Sequence, residues 1–342
     1  MTTTARRLDL PGILEMMQAY KVTALLSTAI ELGVFDRLAQ GPASAPAVAC
    51  DLGLDPRGAR LLLNALAAIG LLEAGGSGYW LLDGAGAHLV RGRPGYAGDM
   101  ARVMASRWEW DALRRLPEAV RQGGTVMDEH AETPGYAYWE DFAAYAHAVA
   151  GPTASRAAEA LRPWAEARSR LDVLDVACGH GLYGFALARE HPKARVWSLD
   201  WPNVLPIACA HAREIGVADR VSTIPGDMFE VPLGGPYDVV MITNVLHHFT
   251  EERGVELIRR AAAVTAEDGR IVLVGFTVDD DEAPARDPSP HLFSILMLVW
   301  TYGGEVHSIA AYERMLAQGG FHDAVVHRVP SLPLRVIVAR RR

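Results

Sequence analysis

A chain of 342 residues, half of them hydrophobic and 22% charged, has the length of two domains and enough apolar matter for a core, which excludes a disordered polypeptide. A net charge of −8 argues against a surface that grips nucleic acid at large. Cys50, Cys178 and Cys209 form neither a disulfide framework nor a zinc set, Met1–Leu10 has no apolar signal core, and no apolar run reaches membrane-spanning length, so a soluble cytoplasmic chain is expected.

Leu10–Leu32 places Ile13, Met17, Tyr20 and Ala24 at helical spacing, and Gly33 stands where a helix stops. Its apolar content suits packing either within its own domain or against a second subunit. A short helix follows over Ala45–Leu52. Asp55 and Pro56 read as the N-cap and first turn of another helix, over Arg57–Ile69. Leu71–Glu73 and Tyr79–Leu82 read as two strands joined by Gly75–Gly78, completing a winged helix. A DNA-reading helix needs several basic side chains, and this one offers only Arg57 and Arg60 on an acidic chain. A winged-helix regulator is therefore the rival from another functional class. Gly92–Trp164 is mostly helical and rich in aromatics, among them Trp108, Tyr138, Trp139 and Tyr145, which suit a packing role.

From Leu171 onward, strands and helices alternate, the pattern of a parallel sheet with right-handed crossovers. Strands are expected at 171–176, 194–199, 221–224, 237–243, 270–276, 322–329 and 334–340. Only Pro330–Pro333 joins the last two, so they run antiparallel. The first strand ends in Gly179-His180-Gly181 and continues into a helical Leu182–Glu190, with Asp175 inside the apolar run. Glycines at 179, 181 and 184 satisfy Gly-x-Gly-x-x-Gly, by itself a weak sign of a dinucleotide. An acid beside the turn, however, suits a sulfonium and repels a pyrophosphate. It can accept hydrogen bonds from such a ligand or from the turn's own N–H groups.

Read from Asp175, the string Asp-x-Ala-x-Gly-x-Gly resembles the first motif of class I S-adenosylmethionine-dependent methyltransferases, in which glycine usually stands in place of Ala177. The fold the resemblance implies is a Rossmann-like seven-stranded methyltransferase sheet with its last strand antiparallel. Asp200, closing the second strand, can accept from both ribose hydroxyls, and Trp201 can lie on adenine or serve packing. Gly226-Asp227-Met228-Phe229 is the string that the small-molecule O-methyltransferases of plants and bacteria carry after the third strand, where the Asp-Met pair contacts adenine. Thr243 and Asn244 fall where that family holds the methionine tail. His247, in Leu246-His247-His248-Phe249, matches the family's general base.

The resemblance further implies that the winged helix is a dimerisation module and the protein a homodimer, with bounds of 1–95 for that module, 96–165 for a helical substrate-covering region and 166–342 for the cofactor domain. It places Tyr145, Val149, Met297, Trp300 and Thr301 against a small aromatic hydroxylated acceptor, the last three from a helix over Pro290–Thr301. Two glutamates that flank the family's catalytic His are absent; Gly275 and Val306 stand there. A metal among His247, His248, His291 and His307 finds no standard ligand spacing. The expected activity is thus O-methyl transfer from S-adenosylmethionine, in the manner of bacterial natural-product enzymes. C- or N-methylation on the same scaffold, or cofactor binding without transfer, are the rivals within the class.

Overall fold

The computed structural model describes residues 9–76, 78–278, 287–330 and 332–342, save the side chains of Ala148 and Val149. Ser77 and Ser331, in two of the expected turns, therefore lie outside the described residues, as does the Val149 side chain. By its contacts the chain divides into two units, Met1–Arg107 and Trp108–Arg342. Most of the stretch 96–165 thereby falls in the second.

The first unit holds α1 (Leu10–Glu31), α2 (Val34–Leu38), α3 (Ala45–Leu52), α4 (Pro56–Ala68), the strands β1 (Leu72–Gly75) and β2 (Gly78–Leu81), α5 (Asp83–Leu89) and α6 (Met100–Met104). Its helix starts follow from local chemistry. The Asp55 carboxylate accepts the Gly58 N–H at 2.8 Å, Pro56 occupies the first turn, and Gly53 ends α3 in the left-handed conformation. β1 and β2 pair antiparallel, with Leu72 opposite Leu81. Phe35, Leu63 and Leu66 form the floor of this unit's core, whereas Leu10, Ile13, Leu14, Met17 and Tyr20 leave much of α1 apolar and exposed.

In the second unit come α7 (Arg107–Arg114, begun on the last residue of the first), α8 (Leu116–Gln122), α9 (Tyr138–Tyr145) and α10 (His147–Ala165). The sheet domain follows: β3 (Leu171–Val176), α11 (Leu182–Glu190), β4 (Ala194–Asp200), α12 (Leu205–Ile215), β5 (Val221–Pro225), β6 (Tyr237–Thr243), α13 (Glu251–Val264), β7 (Thr265–Phe276), α14 (Ser289–Trp300), α15 (Ile309–Gly319), β8 (Phe321–Arg328) and β9 (Leu334–Arg341). The seven strands lie in the order β5-β4-β3-β6-β7-β9-β8. β9 runs antiparallel to both β7 and β8 and is inserted between them, so the sheet ends on β8. β7 begins at Thr265 rather than at 270, with an irregularity in its pairing to β6.

β3 lies at the centre, bonded to β4 on one side and β6 on the other. The chain moves outward from it in one direction and then returns to fill the other, so β3 and β6 border the point where a doubly wound sheet opens a crevice at its carboxyl edge. Leu171, Val173, Leu174 and Val176 are at most 1% exposed. Each contributes about 1.5–3 kcal/mol of burial, which makes β3 a rigid floor for whatever its carboxyl end holds.

Candidate active site

The backbone leaves β3 through three unusual steps at alternate residues. Ala177 (φ +52°), Gly179 (φ +53°) and Gly181 (φ +76°) all take left-handed conformations. At Gly181 glycine is also needed sterically, since a Cβ there would lie 2.3 Å from the Phe185 ring. Gly184 is a matter of close approach, because its Cβ would meet Val196 at 2.8 Å and the Asp175 carboxylate at 3.0 Å.

Asp175 faces the turn and not the cavity. It is fully buried, its Oδ2 accepts the Gly184 N–H at 3.1 Å, and it does not line the cavity above the turn. Burial, opposed by that hydrogen bond and aided by the Asp200 charge, raises its carboxyl to about 8. Of the two roles open to it, the structure shows the one toward the turn: Asp175 fastens the first turn of α11 beneath the loop. Gly181 likewise shapes the turn without lining the cavity.

The cavity, of about 180 Å³, opens at the carboxyl ends of β3, β4 and β6. Asp200 stands at its edge. One carboxylate oxygen accepts the Gly179 N–H and the other the Trp201 N–H, each at 2.7 Å, and burial raises the carboxyl to about 6. Both oxygens keep a lone pair for a diol. Asp227, Met228 and Phe229 form a second wall, with Asp227 Oδ1 accepting the Phe229 N–H at 2.8 Å. Arg260 fixes this wall by donating to the carbonyls of Met228 and Val231. Trp201, Gly226 and Thr243 line the cavity too. At the end of β6, Asn244 (φ +53°) donates to the Tyr183 hydroxyl at 2.9 Å and leaves its buried Oδ1 without a partner among the described residues. An unpaired acceptor in a polar wall suits an ammonium ligand.

Several wall residues escaped the sequence reading. Trp139 and Phe142 of α9, with Ala131 and Glu132 before it, cover the cavity, and Arg253 of α13 stacks 3.6 Å from the Phe229 ring centroid. Arg253 follows the His-His-Phe string by four residues, one turn into a helix capped by Thr250, and that spacing could have suggested it. Ala131 and Trp139 give no local signal, because tertiary bonds place them: Ala131 N–H donates to the Trp300 carbonyl, and the Trp139 indole donates to Ala131, each at 3.0 Å.

The acceptor residues need a different account. Tyr145, Met297, Trp300 and Thr301 do not line this cavity. Met297, Trp300 and Thr301 are buried because the last turn of α14 is an anchor: its Val299, Trp300 and Thr301 carbonyls hold the segment 125–131. The Thr301 hydroxyl donates to the Met297 carbonyl and accepts the Gly304 N–H, both at 2.8 Å. Gly304 in turn abuts the catalytic-candidate turn so closely that a Cβ would fall 2.4 Å from the His247 carbonyl oxygen.

His247 and His248 point differently. His248 lines the cavity beside Trp139, with burial lowering its imidazole to about 4. His247 does not line it; the ring lies edge-on to His248 (4.7 Å) and to Phe293 of α14 (4.9 Å), with Phe276 near. Burial, then the proximity of His248 and His307, holds its imidazole well below the ordinary range, so it is neutral at pH 7. No group of three or more metal-ligating side chains occurs among the described residues.

A doubly wound sheet of this strand order, with an acid at the end of β4 and an Asp-Met wall after β5, defines a Rossmann-like methyltransferase. Residues 156–322 match the O-methyltransferase domain and residues 14–90 the O-methyltransferase dimerisation domain. The chain is 32% identical to the tetracenomycin polyketide synthesis 8-O-methyl transferase TcmO of Streptomyces glaucescens, over 92% of each chain. It is 28% identical to the 3-hydroxy-5-methyl-1-naphthoate 3-O-methyltransferase of Streptomyces sahachiroi, over 93% of this chain and 91% of that one. A solved structure from Nostoc punctiforme superposes with a TM-score of 0.91 at 31% identity, covering 98% of this chain and all of the other. The chain belongs to the O-methyltransferase family and is an S-adenosylmethionine-dependent enzyme of that family, with its dimerisation domain at the N-terminus.

Proposed function

We propose that the cavity holds S-adenosylmethionine and that the enzyme methylates a hydroxyl on a small aromatic molecule of natural-product type, as a homodimer in the cytoplasm. The observation that carries the reading is the ring of polar groups at the β3–β6 crevice. The Asp200 carboxylate serves the ribose, Asp227 and Met228 the adenine, and the unpaired Asn244 Oδ1 the ammonium of the methionine end. Trp139 and Phe142 exclude water above it. The cofactor supplies a methyl already activated by a sulfonium, so positioning provides much of the acceleration.

His247 takes the acceptor's proton. It is neutral at pH 7, so a ring nitrogen can accept the proton; burial makes it a weaker base than a free imidazole, and a positioned base contributes about 10²–10⁴-fold. Phe276 and Phe293, with ring centroids 4.3 Å apart beside it, offer apolar faces to a planar acceptor. The exposed apolar side of α1 supports pairing of two copies through the dimerisation domain, and the three unpaired cysteines suit a reducing compartment.

Calorimetric titration with S-adenosylhomocysteine and, in parallel, with NAD tests the cofactor. Micromolar binding of the first and none of the second is expected; the reverse overturns the proposal. Incubation with a panel of hydroxynaphthoates, hydroxyquinones and hydroxyphenazines then tests the acceptor class.

A further inference from the structure

The two glutamates that would orient a catalytic histidine are missing, yet His247 is not left in an apolar void. Its Nδ1 and the hydroxyl of Tyr312 are both buried and both lack a hydrogen-bond partner among the described residues. They border one small space. A Cβ built on Gly275 would stand 2.6 Å from the Tyr312 hydroxyl oxygen and 3.9 Å from His247 Nδ1. Glycine at the end of β7 therefore admits the phenol where any side chain would displace it. Tyr312 is fully buried on the first turns of α15, and its ring meets His307 edge-on at 5.7 Å. His307 supports the same turn from below, with Nε2 3.3 Å from the Leu246 carbonyl and 3.1 Å from that of Phe249.

We infer that Tyr312 is a positioning residue for His247: once the imidazole turns toward it, its hydroxyl oxygen accepts the Nδ1–H, which leaves Nε2 bare to receive the acceptor's proton. The inference rests on the assignment of His247 as base. Two buried polar atoms that border one space, each costly to leave unpaired, become partners in one hydrogen bond. A bond in this direction holds the tautomer that base catalysis requires, whereas the reverse bond, hydroxyl to Nδ1, would hold the other. Gly275, Tyr312 and His307 together then do the orienting work from three separate segments.

The test uses full-length enzyme labelled with 15N-histidine and saturated with S-adenosylhomocysteine, with His247→Asn identifying the relevant signals. The Nδ1–H tautomer is expected for His247, shifting to a mixture in Tyr312→Phe, which keeps the ring and loses only the hydroxyl. In turnover of a hydroxynaphthoate from the panel, Tyr312→Phe should lower kcat about tenfold with both KM values within twofold. Gly275→Ala, which pushes the hydroxyl away, should lower it similarly, with little further loss in the double variant. An Nε2–H tautomer in the wild type, or a tautomer that Tyr312→Phe leaves unmoved, overturns the inference. If His247→Asn abolishes turnover while Tyr312→Phe changes neither tautomer nor kcat, Tyr312 alone is wrong. If His247→Asn turns over normally, the base assignment falls and this inference with it.

Discussion

The two halves of the site are built from different materials. On the side proposed for the cofactor the contacts come from strand ends and from backbone N–H groups. Gly179 and Trp201 donate to Asp200, Gly184 to Asp175 and Phe229 to Asp227, each partner lying within one short stretch or on a neighbouring strand. On the side proposed for the acceptor, His247 and its turn pack among Gly275, Phe293, Gly304, His307 and Tyr312, contributed by the end of β7, by α14, by the loop after it and by α15. A site made by backbone is specified by local sequence and tolerates change in the side chains around it. One made by distant side chains is specified by packing and is sensitive to any of them.

The sharpest way to break this contrast is Gly304→Ala. With 2.4 Å between the added methyl and the His247 carbonyl oxygen, the turn must move. A shift of this kind should lower kcat about 10²-fold, while S-adenosylhomocysteine affinity, measured by calorimetry, changes much less. Equal losses in both would show that the halves are not separable.

Asp200→Asn probes the other half. Removing a charged acceptor should weaken S-adenosylhomocysteine binding by about 10–100-fold. Because burial raises this carboxyl to about 6, and the ionised form is the better diol acceptor, wild-type affinity should fall as pH drops through 6. The asparagine variant should show no such slope in titrations between pH 5 and 7.5.

The smallest change is expected from Asp175→Asn. Its carboxyl, raised from 3.8 to about 8, is neutral at pH 7 and away from the cavity wall. The ratio of S-adenosylmethionine to S-adenosylhomocysteine affinity should therefore stay within threefold of wild type. A group that binds its proton more tightly when folded makes the protein less stable as pH rises from about 4 to 8. Melting curves of the variant should lose that part of the slope, and a tenfold fall in the affinity ratio would restore Asp175 as a partner of the sulfonium.

The same contrast governs what the sequence could reveal. Strand-helix alternation, the glycine turn, Asp200 and the Gly-Asp-Met-Phe string are local patterns, and they placed all seven strands and much of the wall of the cavity at the β3–β6 crevice. The reversal at the chain's end was legible from a four-residue link, though the insertion of β9 inside β8 was not, since nothing local encodes strand order. Met297, Trp300 and Thr301 have the composition of a pocket wall. What Trp300 and Thr301 bond to, a segment some 170 residues earlier, is invisible until the chain is folded. For Asp175 the sequence leaves two partners open, a ligand and the turn, and only the folded chain shows Gly184 beside it and the core around it.

Where the methyl goes and which group takes the proton decide the mechanism most directly. Enzyme given S-adenosylmethionine labelled with 13C at the methyl, together with a hydroxynaphthoate, should yield an O-13CH3 resonance in the product spectrum, and His247→Ala should slow its appearance about 10²–10⁴-fold. A C- or N-bound label, or a His247→Ala enzyme forming the ether at the wild-type rate, would contradict it.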